Sequence, residues 1–329
     1  DDDRSVHGES GRILRDNVYG SIEEEIWRRD FTANALYYNI ADFSIWDYTG
    51  GVEDIRGRVL RLIGDPETRY REDPVRMLRA VRFAGKLGFE IEPNSAAPIP
   101  VLAHLLADMP SSRLFDECLK LFQSGHAVLA LDGLLHFGLF EQLFPPTAQA
   151  LSENYAGDLA LIREGLANTD ARIQAGKPIT PMFLFAVLLW PAIRSLAVTI
   201  QEEESCTEFQ AIQFATSSVV ERQVVRVGLP RRFSAPMREM LAMQPRFLLR
   251  QGGRAQRLLT HRKFRAAYDF LLLRAAVGQA SQEVADWWTE IQEQDPAVQK
   301  KMLGLTKRRK RRRRGDKGPK GSAGSELRG

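Results

Sequence analysis

The chain has 329 residues, of which 44% are apolar, 27% are charged and only two are cysteine. That length allows two or three domains with a real core. The two cysteines, Cys118 and Cys206, exclude a disulfide framework or a cysteine metal site and fit a reducing, cytoplasmic compartment. The net charge of +4 is unevenly spread. Residues 307–329 hold 11 Lys/Arg against two acids, a net +9. The preceding 306 residues hold 35 bases and 40 acids, a net −5. A tail of that composition cannot pack, so residues 306–329 are expected to be disordered and to seek a polyanion. The chain opens on Asp1 rather than Met, and it is expected to be a piece of a longer protein.

Residues 1–20 are polar and glycine-rich and read as a loop. "SIEEEIWRRDFTANALYYNIAD", 21–42, reads as a helical stretch. "FSIWDYTGG", 43–51, reads as a strand ending in a turn, "GVEDIRGR" as a short helix, and "VLRLIG", 59–64, as a second strand. Two short strands among helices indicate the edge of a small α/β domain. From Glu67 onward nearly everything reads helical, beginning with 72–87. Further helices are expected at 95–107, 111–124, 126–137, 139–144 and 158–168. Beyond them come 181–193, 194–201, 207–214, 217–227, 234–242, 246–250, 252–259, 261–277 and 280–293. Pro, Ser and Gly in "PPTAQALSENYAGD" mark a candidate boundary at 145–157. The run "PMFLFAVLLWPAI", 181–193, is too short to span a membrane and reads as a core helix, so no membrane partner is expected.

"RRDFTANAL", 28–36, puts two arginines and an aspartate at a helix start. Guanidinium forks suit phosphate oxygens. Taken alone, the group reads more readily as a capping and salt-bridge cluster. "EDPVRMLRAVR", 72–82, places Asp73 three residues before Arg76, with Arg79 and Arg82 following at the same spacing. An acceptor and several donors on one helix face could read the edge of a nucleobase. Alone, the same pattern is more often an i,i+3 salt bridge on a solvated face. Asp1 and Asp3 have the spacing of a metal-binding carboxylate pair. They lie in loop sequence without an apolar strand to hold them, so they read as loop residues. The five histidines show no ligand spacing, and no phosphate-binding glycine loop or nucleophile elbow occurs. Arginine and lysine interleave with aromatics in "RLLTHRKFRAAYDFLLLRA", which suits either an RNA-contacting surface or ordinary helices with long basic side chains.

The two motifs, in this order and at this distance, resemble those of the class II nucleotidyltransferase family. That family holds bacterial poly(A) polymerases and CCA-adding tRNA nucleotidyltransferases. The resemblance runs closely over residues 14–145. "LRDNVYGSIEEE", "KFRAAYDFLLLRA" and the basic tail point to the poly(A) polymerase branch. It implies a mainly α fold. Residues 1–66 would be the end of a partial α/β nucleotidyltransferase head, 67–150 a helical neck with the base-reading helix, 151–305 a helical RNA-binding body, and 306–329 the basic tail. It implies that Asp30 belongs to the active site and that Arg29 and Asn34 contact the nucleotide. Asp73 and Arg76 would read the base, followed by Arg79 and Arg82 in the ATP pocket. RNA would also meet Lys307, Arg308, Arg309, Lys310, Arg311, Arg312, Arg313 and Arg314. The implied reaction adds AMP from ATP to RNA 3′ ends, with Mg²⁺, marking RNA for decay. The implied setting is a cytoplasmic monomer that meets RNA-decay proteins. The alternative is a CCA-adding enzyme. One departure is large: the family's Gly-Gly…Arg-Asp loop and strand-borne D-x-D pair precede the RRD motif, and neither is in this sequence. These 329 residues alone are therefore expected not to polymerise.

Overall fold

The computed structural model describes residues 6–7, 13–15, 22–153 and 155–305. The expected disordered tail lies outside the described residues, as do Asp1 and Asp3. Two strands, β1 (Val6–His7) and β2 (Ile13–Arg15), pair antiparallel where a loop was expected.

The expected helix over 21–42 is overturned. α1 (Ile22–Arg28) stops before Arg29. The chain then pairs with a distant segment: Thr32 N–H donates to the Arg61 carbonyl and Ile63 N–H to the Asp30 carbonyl, both at 3.0 Å, and Phe31 bridges Leu62. After one 3-10 turn, Thr32–Asn34, the "LYY" run becomes β3 (Leu36–Tyr38) and pairs antiparallel with β4 (Ile45–Asp47). The non-local backbone bonds and the aromatic run defeat a local helical pattern. The Asp47 carboxylate receives Gly51 and Val52 N–H, both at 2.9 Å, and so starts α2 (Gly51–Gly57). β5 (Val59–Leu60) pairs parallel with β6 (Glu90–Ile91). Gly51 has a packing reason. A Cβ there would lie 2.2 Å from the Thr32 carbonyl oxygen, so only glycine lets α2 approach the turn that carries the RRD segment.

The expected helix 72–87 is two helices, α3 (Pro66–Glu72) and α4 (Val75–Leu87). Between them Asp73 is extended, at φ −142° and ψ 92°. Pro74 is the cause, since its ring disfavours helical backbone in the residue before it. Asp73 and Arg76 therefore do not share a helix face; Asp73 projects from the break. Gly88, at φ 65°, ends α4 as a left-handed cap. α4 buries Val75, Met77, Leu78, Ala80 and Val81, each of the side chains other than that of Ala80 worth roughly 1.5–3 kcal/mol.

The remaining chain is helical. α5 (Pro93–Ala96) and α6 (Pro98–Leu102) precede α7 (Ser111–Phe122), α8 (Ala127–His136) and α9 (Leu139–Leu143). The stretch marked as a boundary is itself helical: α10 (Pro145–Glu153) and the start of α11 (Tyr155–Gln174). α12 (Pro181–Glu204) runs through Pro191, where two helices were expected. The Thr147 hydroxyl donates to the Leu188 carbonyl at 2.8 Å, supplying a bond in the turn that proline disrupts. By length and composition α12 could cross a membrane, but Leu184–Ile193 are buried in the core. α13 (Glu208–Arg226) is also continuous where two helices were expected. α14 (Arg231–Leu241), α15 (Gly252–Leu259), α16 (Phe264–Ala276), α17 (Gln282–Glu293) and α18 (Pro296–Met302) complete the fold, the last not anticipated. One buried apolar cluster extends from Phe31 to Leu303.

α4 is seated against α8 at Gly133, where an added Cβ would lie 2.7 Å from Val81 Cγ1. Gly133→Ala is expected to destabilise by about 1–3 kcal/mol through overpacking. Combining it with Val81→Ala is expected to recover part of that loss in a double-mutant cycle read by urea unfolding. Strict additivity of the two would contradict the contact.

Candidate active site

The end of α1 just before Arg29–Asp30 sets the Asp30 carboxylate against the third-residue repeat of α4. Arg76 Nε donates to Oδ1 at 2.8 Å and Arg79 Nη1 donates to Oδ2 at 2.7 Å. A spacing of three puts both guanidiniums on neighbouring turns of one face, and one carboxylate takes both. Only 12% of the Asp30 side chain and 7% of the Arg76 side chain are exposed. Arg76 Nη1 also donates to the Arg69 carbonyl at 2.8 Å and to Glu72 at 3.2 Å. Arg69 donates to Glu72 at 2.9 Å and to the Arg29 carbonyl at 3.0 Å. One network thus ties the RRD turn, α3 and α4 together.

Burial opposes ionisation of Asp30. The hydrogen bonds and charges of Arg76 and Arg79 outweigh it and hold the carboxyl below its ordinary 3.8. Burial likewise works against the Arg79 charge, but Asp30 beside it raises its pKa. Asp30 is therefore an ionised anchor for two arginines.

Asp73 is held by a different partner. Its Oδ2 accepts from Arg113 Nη2 on α7 at 2.7 Å, and its Oδ1 accepts from Val75 N–H at 3.3 Å. Four residues along α7, the buried Glu117 accepts from Lys120 at 2.8 Å and lies 3.9 Å from Arg79 Nε. Its second oxygen has no partner. Arg82 makes no ion pair among the described residues; its guanidinium lies 4.1 Å from the Phe83 ring centroid, and its Nε is buried without a partner. Burial lowers its pKa.

A polar cleft of about 330 Å³ opens in front of this network, lined by Glu25, Arg28, Arg29, Asp30, Asn34 and Arg79. Arg29 pairs with Glu25 at 3.0 Å, and Asn34 Oδ1 accepts from Phe31 N–H at 3.2 Å. The structure thus brings Arg29, Asp30, Asn34 and Arg79 to the cleft. Arg76 stands behind Asp30, Asp73 lies to one side on Arg113, and Arg82 is a turn further along. Lys307 to Arg314 lie outside the described residues. Arg28 belonged to the RRD motif without an assigned role; Glu25, Arg69, Arg113, Glu117 and Lys120 were missed. The one available signal was the Arg-x-x-x-Glu-x-x-Lys spacing on α7, a single helix face. The residues named in this network and cleft amount to eight cationic groups against five carboxylates, an arrangement suited to a polyphosphate. No cluster of three or more His, Cys, Asp or Glu able to hold a metal occurs among the described residues.

Asp30→Asn is expected to destabilise the chain by about 2–4 kcal/mol, because Arg76 keeps its burial and loses its principal counter-charge. The pH dependence has a definite sign. A depressed folded pKa stabilises above the unfolded value of about 3.9 and is lost as pH falls through the lower folded value. The difference between wild type and Asp30→Asn in urea unfolding should be constant from pH 5 to 8 and shrink below about pH 4. A difference independent of pH down to 2 would show that the Asp30 charge contributes nothing.

Three family models match in chain order: "Poly A polymerase head domain" over 3–61, "Probable RNA and SrmB- binding site of polymerase A" over 88–151, and "Polymerase A arginine-rich C-terminus" over 204–319. Poly(A) polymerase I of Escherichia coli O157:H7 is 46% identical over 302 residues, covering 91% of this chain and 65% of that protein. The poly(A) polymerase I of Salmonella typhi is 46% identical over 304 residues, with the same coverage. The chain therefore spans about 65% of the length of these curated relatives. The CCA-adding enzyme of Bacillus subtilis is 42% identical over 123 residues, 37% of this chain and 31% of that enzyme. Two solved structures share the fold. A tRNA-processing enzyme in its apo form 2 has a TM-score of 0.56 at 18% identity, over 86% of this chain and 76% of its own. The Thermotoga maritima CCA-adding enzyme complexed with tRNA has a TM-score of 0.56 at 19% identity, over 82% and 60%. The mainly helical fold with a short α/β head is thereby borne out. Three matched segments in order, and an identity of 46% sustained over 91% of its length, mean that the chain belongs to the poly(A) polymerase family.

Proposed function

We propose that this chain carries the nucleotide-selecting and RNA-holding parts of a polynucleotide adenylyltransferase. In the reaction an RNA 3′-hydroxyl oxygen bonds to the α-phosphorus of ATP, the bond to the β-phosphate bridging oxygen breaks, pyrophosphate leaves, and the hydroxyl proton passes to solvent. The observation that carries this reading is the shared Asp30 carboxylate between Arg76 and Arg79, directly behind a cationic cleft. Asp30, ion-paired to two arginines, acts here as a positioning group rather than as a base. Arg28, Arg29 and Arg79 would meet the triphosphate. Asn34 sits at the rim, where an amide suits a sugar hydroxyl. Asp73, fixed by Arg113, offers an acceptor, and Arg76, fixed by Asp30 and Glu72, offers donors. Groups held this firmly favour adenine because a wrong base leaves them unpaired, at about 1–3 kcal/mol each. Arg82, one turn beyond, would support the pocket from behind.

The family's chemistry calls for a divalent ion, which we take to be Mg²⁺. No group of three or more His, Cys, Asp or Glu that could hold it occurs among the described residues, and we place its carboxylate pair outside them. Residues 1–66, 67–150 and 151–305 are read as head end, neck and body. Oligo(A) addition by this family as a mark for RNA decay, in the cytoplasm, by a monomer that meets decay proteins, completes the proposal. The CCA-adding alternative has weaker support, since its similarity covers 37% of the chain.

The test uses the full-length protein with Mg²⁺, an unstructured RNA primer or a tRNA lacking its CCA end, and each nucleotide separately. Long ladders with ATP on the plain primer are expected. Addition that needs CTP and ATP, stops after three residues and uses only tRNA would instead establish the CCA reading. Arg76→Ala and Asp73→Ala are each expected to reduce the preference for ATP over CTP in kcat/KM by about tenfold or more. An unchanged preference in both would remove these residues from base reading.

A further inference from the structure

A second concavity, of about 720 Å³, lies away from the Asp30 cleft, between α11, the 177–180 loop, the start of α12 and the start of α16. Ile179, Met182, Leu272 and Leu273 give it an apolar lining, and Arg172, Lys177, Arg262, Lys263 and Arg265 bring positive charge. Asp269 is its single lining carboxylate and pairs with Arg265 at 2.9 Å. Arg262 pairs with Glu239 at 3.1 Å. The other three cations are not neutralised. Arg172 donates to the carbonyl of Pro178 at 2.8 Å, and neither Lys177 nor Lys263 makes an ion pair among the described residues.

Three uncompensated cations around an apolar slot repel one another unless an anion joins them. The rest of the molecule makes the concentration pointed, since the residues before the tail sum to −5. A chain of bases and phosphates offers both complements at once: a flat apolar face for the slot and charge for the cations. The groove is also linked to the Asp30 site by one rigid element. Arg113 near the start of α7 holds Asp73, while Gln123, just past its end, lines the groove. Ten residues of helix separate them by about 15 Å, within reach of a few nucleotides. Much of the lining, from Gly165 to Leu184, falls between the segments that the family models match.

We propose that this groove is a second RNA-contact site, taking an unpaired stretch of the substrate strand upstream of its 3′ end, with a base in the apolar slot and phosphates on Arg172, Lys177 and Lys263. The proposal rests on the RNA-substrate reading above.

The test is binding of 3′-deoxy oligo(A) to the full-length protein by fluorescence anisotropy across a salt series, for a 3-mer and a 15-mer. The variant is Lys177→Ala/Lys263→Ala, at two side chains without ion pairs, so the fold is expected to survive. For the 15-mer, the slope of log affinity against log salt is expected to fall by about 1.4 in the variant, at roughly 0.7 per lost contact on a single strand. For the 3-mer, which reaches only the Asp30 cleft, the slope should not change. In the wild type, a 15-mer with abasic sites at its fourth to eighth positions from the 3′ end is expected to bind about tenfold more weakly than intact oligo(A). Equal slopes for variant and wild type on the 15-mer, or no loss with abasic RNA, would overturn the groove while leaving the polymerase reading intact. An unchanged slope together with competition by polyglutamate would assign the groove to an acidic protein segment instead. Failure of the wild type to bind either RNA would overturn both readings.

Discussion

Asp30 is where the architecture and the chemistry meet. Arg76 is nearly excluded from water, and a buried guanidinium needs an anion and further acceptors around it. Asp30, Glu72 and the Arg69 carbonyl provide them, from the RRD turn and from α3. The arginine in turn fixes the angle between α3 and α4. Because Arg79 takes the other oxygen of the same carboxylate, any shift of the RRD turn moves both arginines together. The cationic cleft and the arginines behind it are thus parts of one rigid unit rather than two sites that happen to be near each other.

Much of this was legible from residue order. The third-residue arginine repeat and the helix stop at Gly88 follow from local chemistry, while the association of "RRD" with "EDPVR" came from the family resemblance. The break at Asp73 was also written in the sequence, since Pro74 constrains its predecessor, but the acidic start suggested a longer helix. The exit of 29–38 from helix was not legible. It depends on backbone bonds to Arg61 and Ile63, some thirty residues away. The partner of Asp73 was hidden for the same reason. Arg113 and Glu117 look like an ordinary amphipathic helix until the fold lays α7 beside α4. The continuity of α12 through Pro191 and of α13 through Ser217 and Ser218 shows packing overriding local breakers, as burial of a long apolar face can.

The charge arrangement separates two groups of cations. Those at the Asp30 network are held in place by carboxylates, although they outnumber them eight to five. At the α11–α16 groove Arg262 and Arg265 are paired with Glu239 and Asp269, while Arg172, Lys177 and Lys263 have no carboxylate partner among the described residues. On the reading proposed above, the first group supplies geometry and the second supplies attraction.

The apolar cluster that starts at Phe31, one residue after the anchor aspartate, continues without interruption to Leu303. No seam divides it, and the Trp288 indole even donates across 41 residues to the Phe247 carbonyl. A shared layer of this kind couples the packing of the elements it joins. Among the described residues, only the small cluster of Ile26, Ala35 and Ile63 in the head stands apart from it. The seat of the Asp30 turn is then tied, through Phe31, to the packing of helices at the far end of the chain.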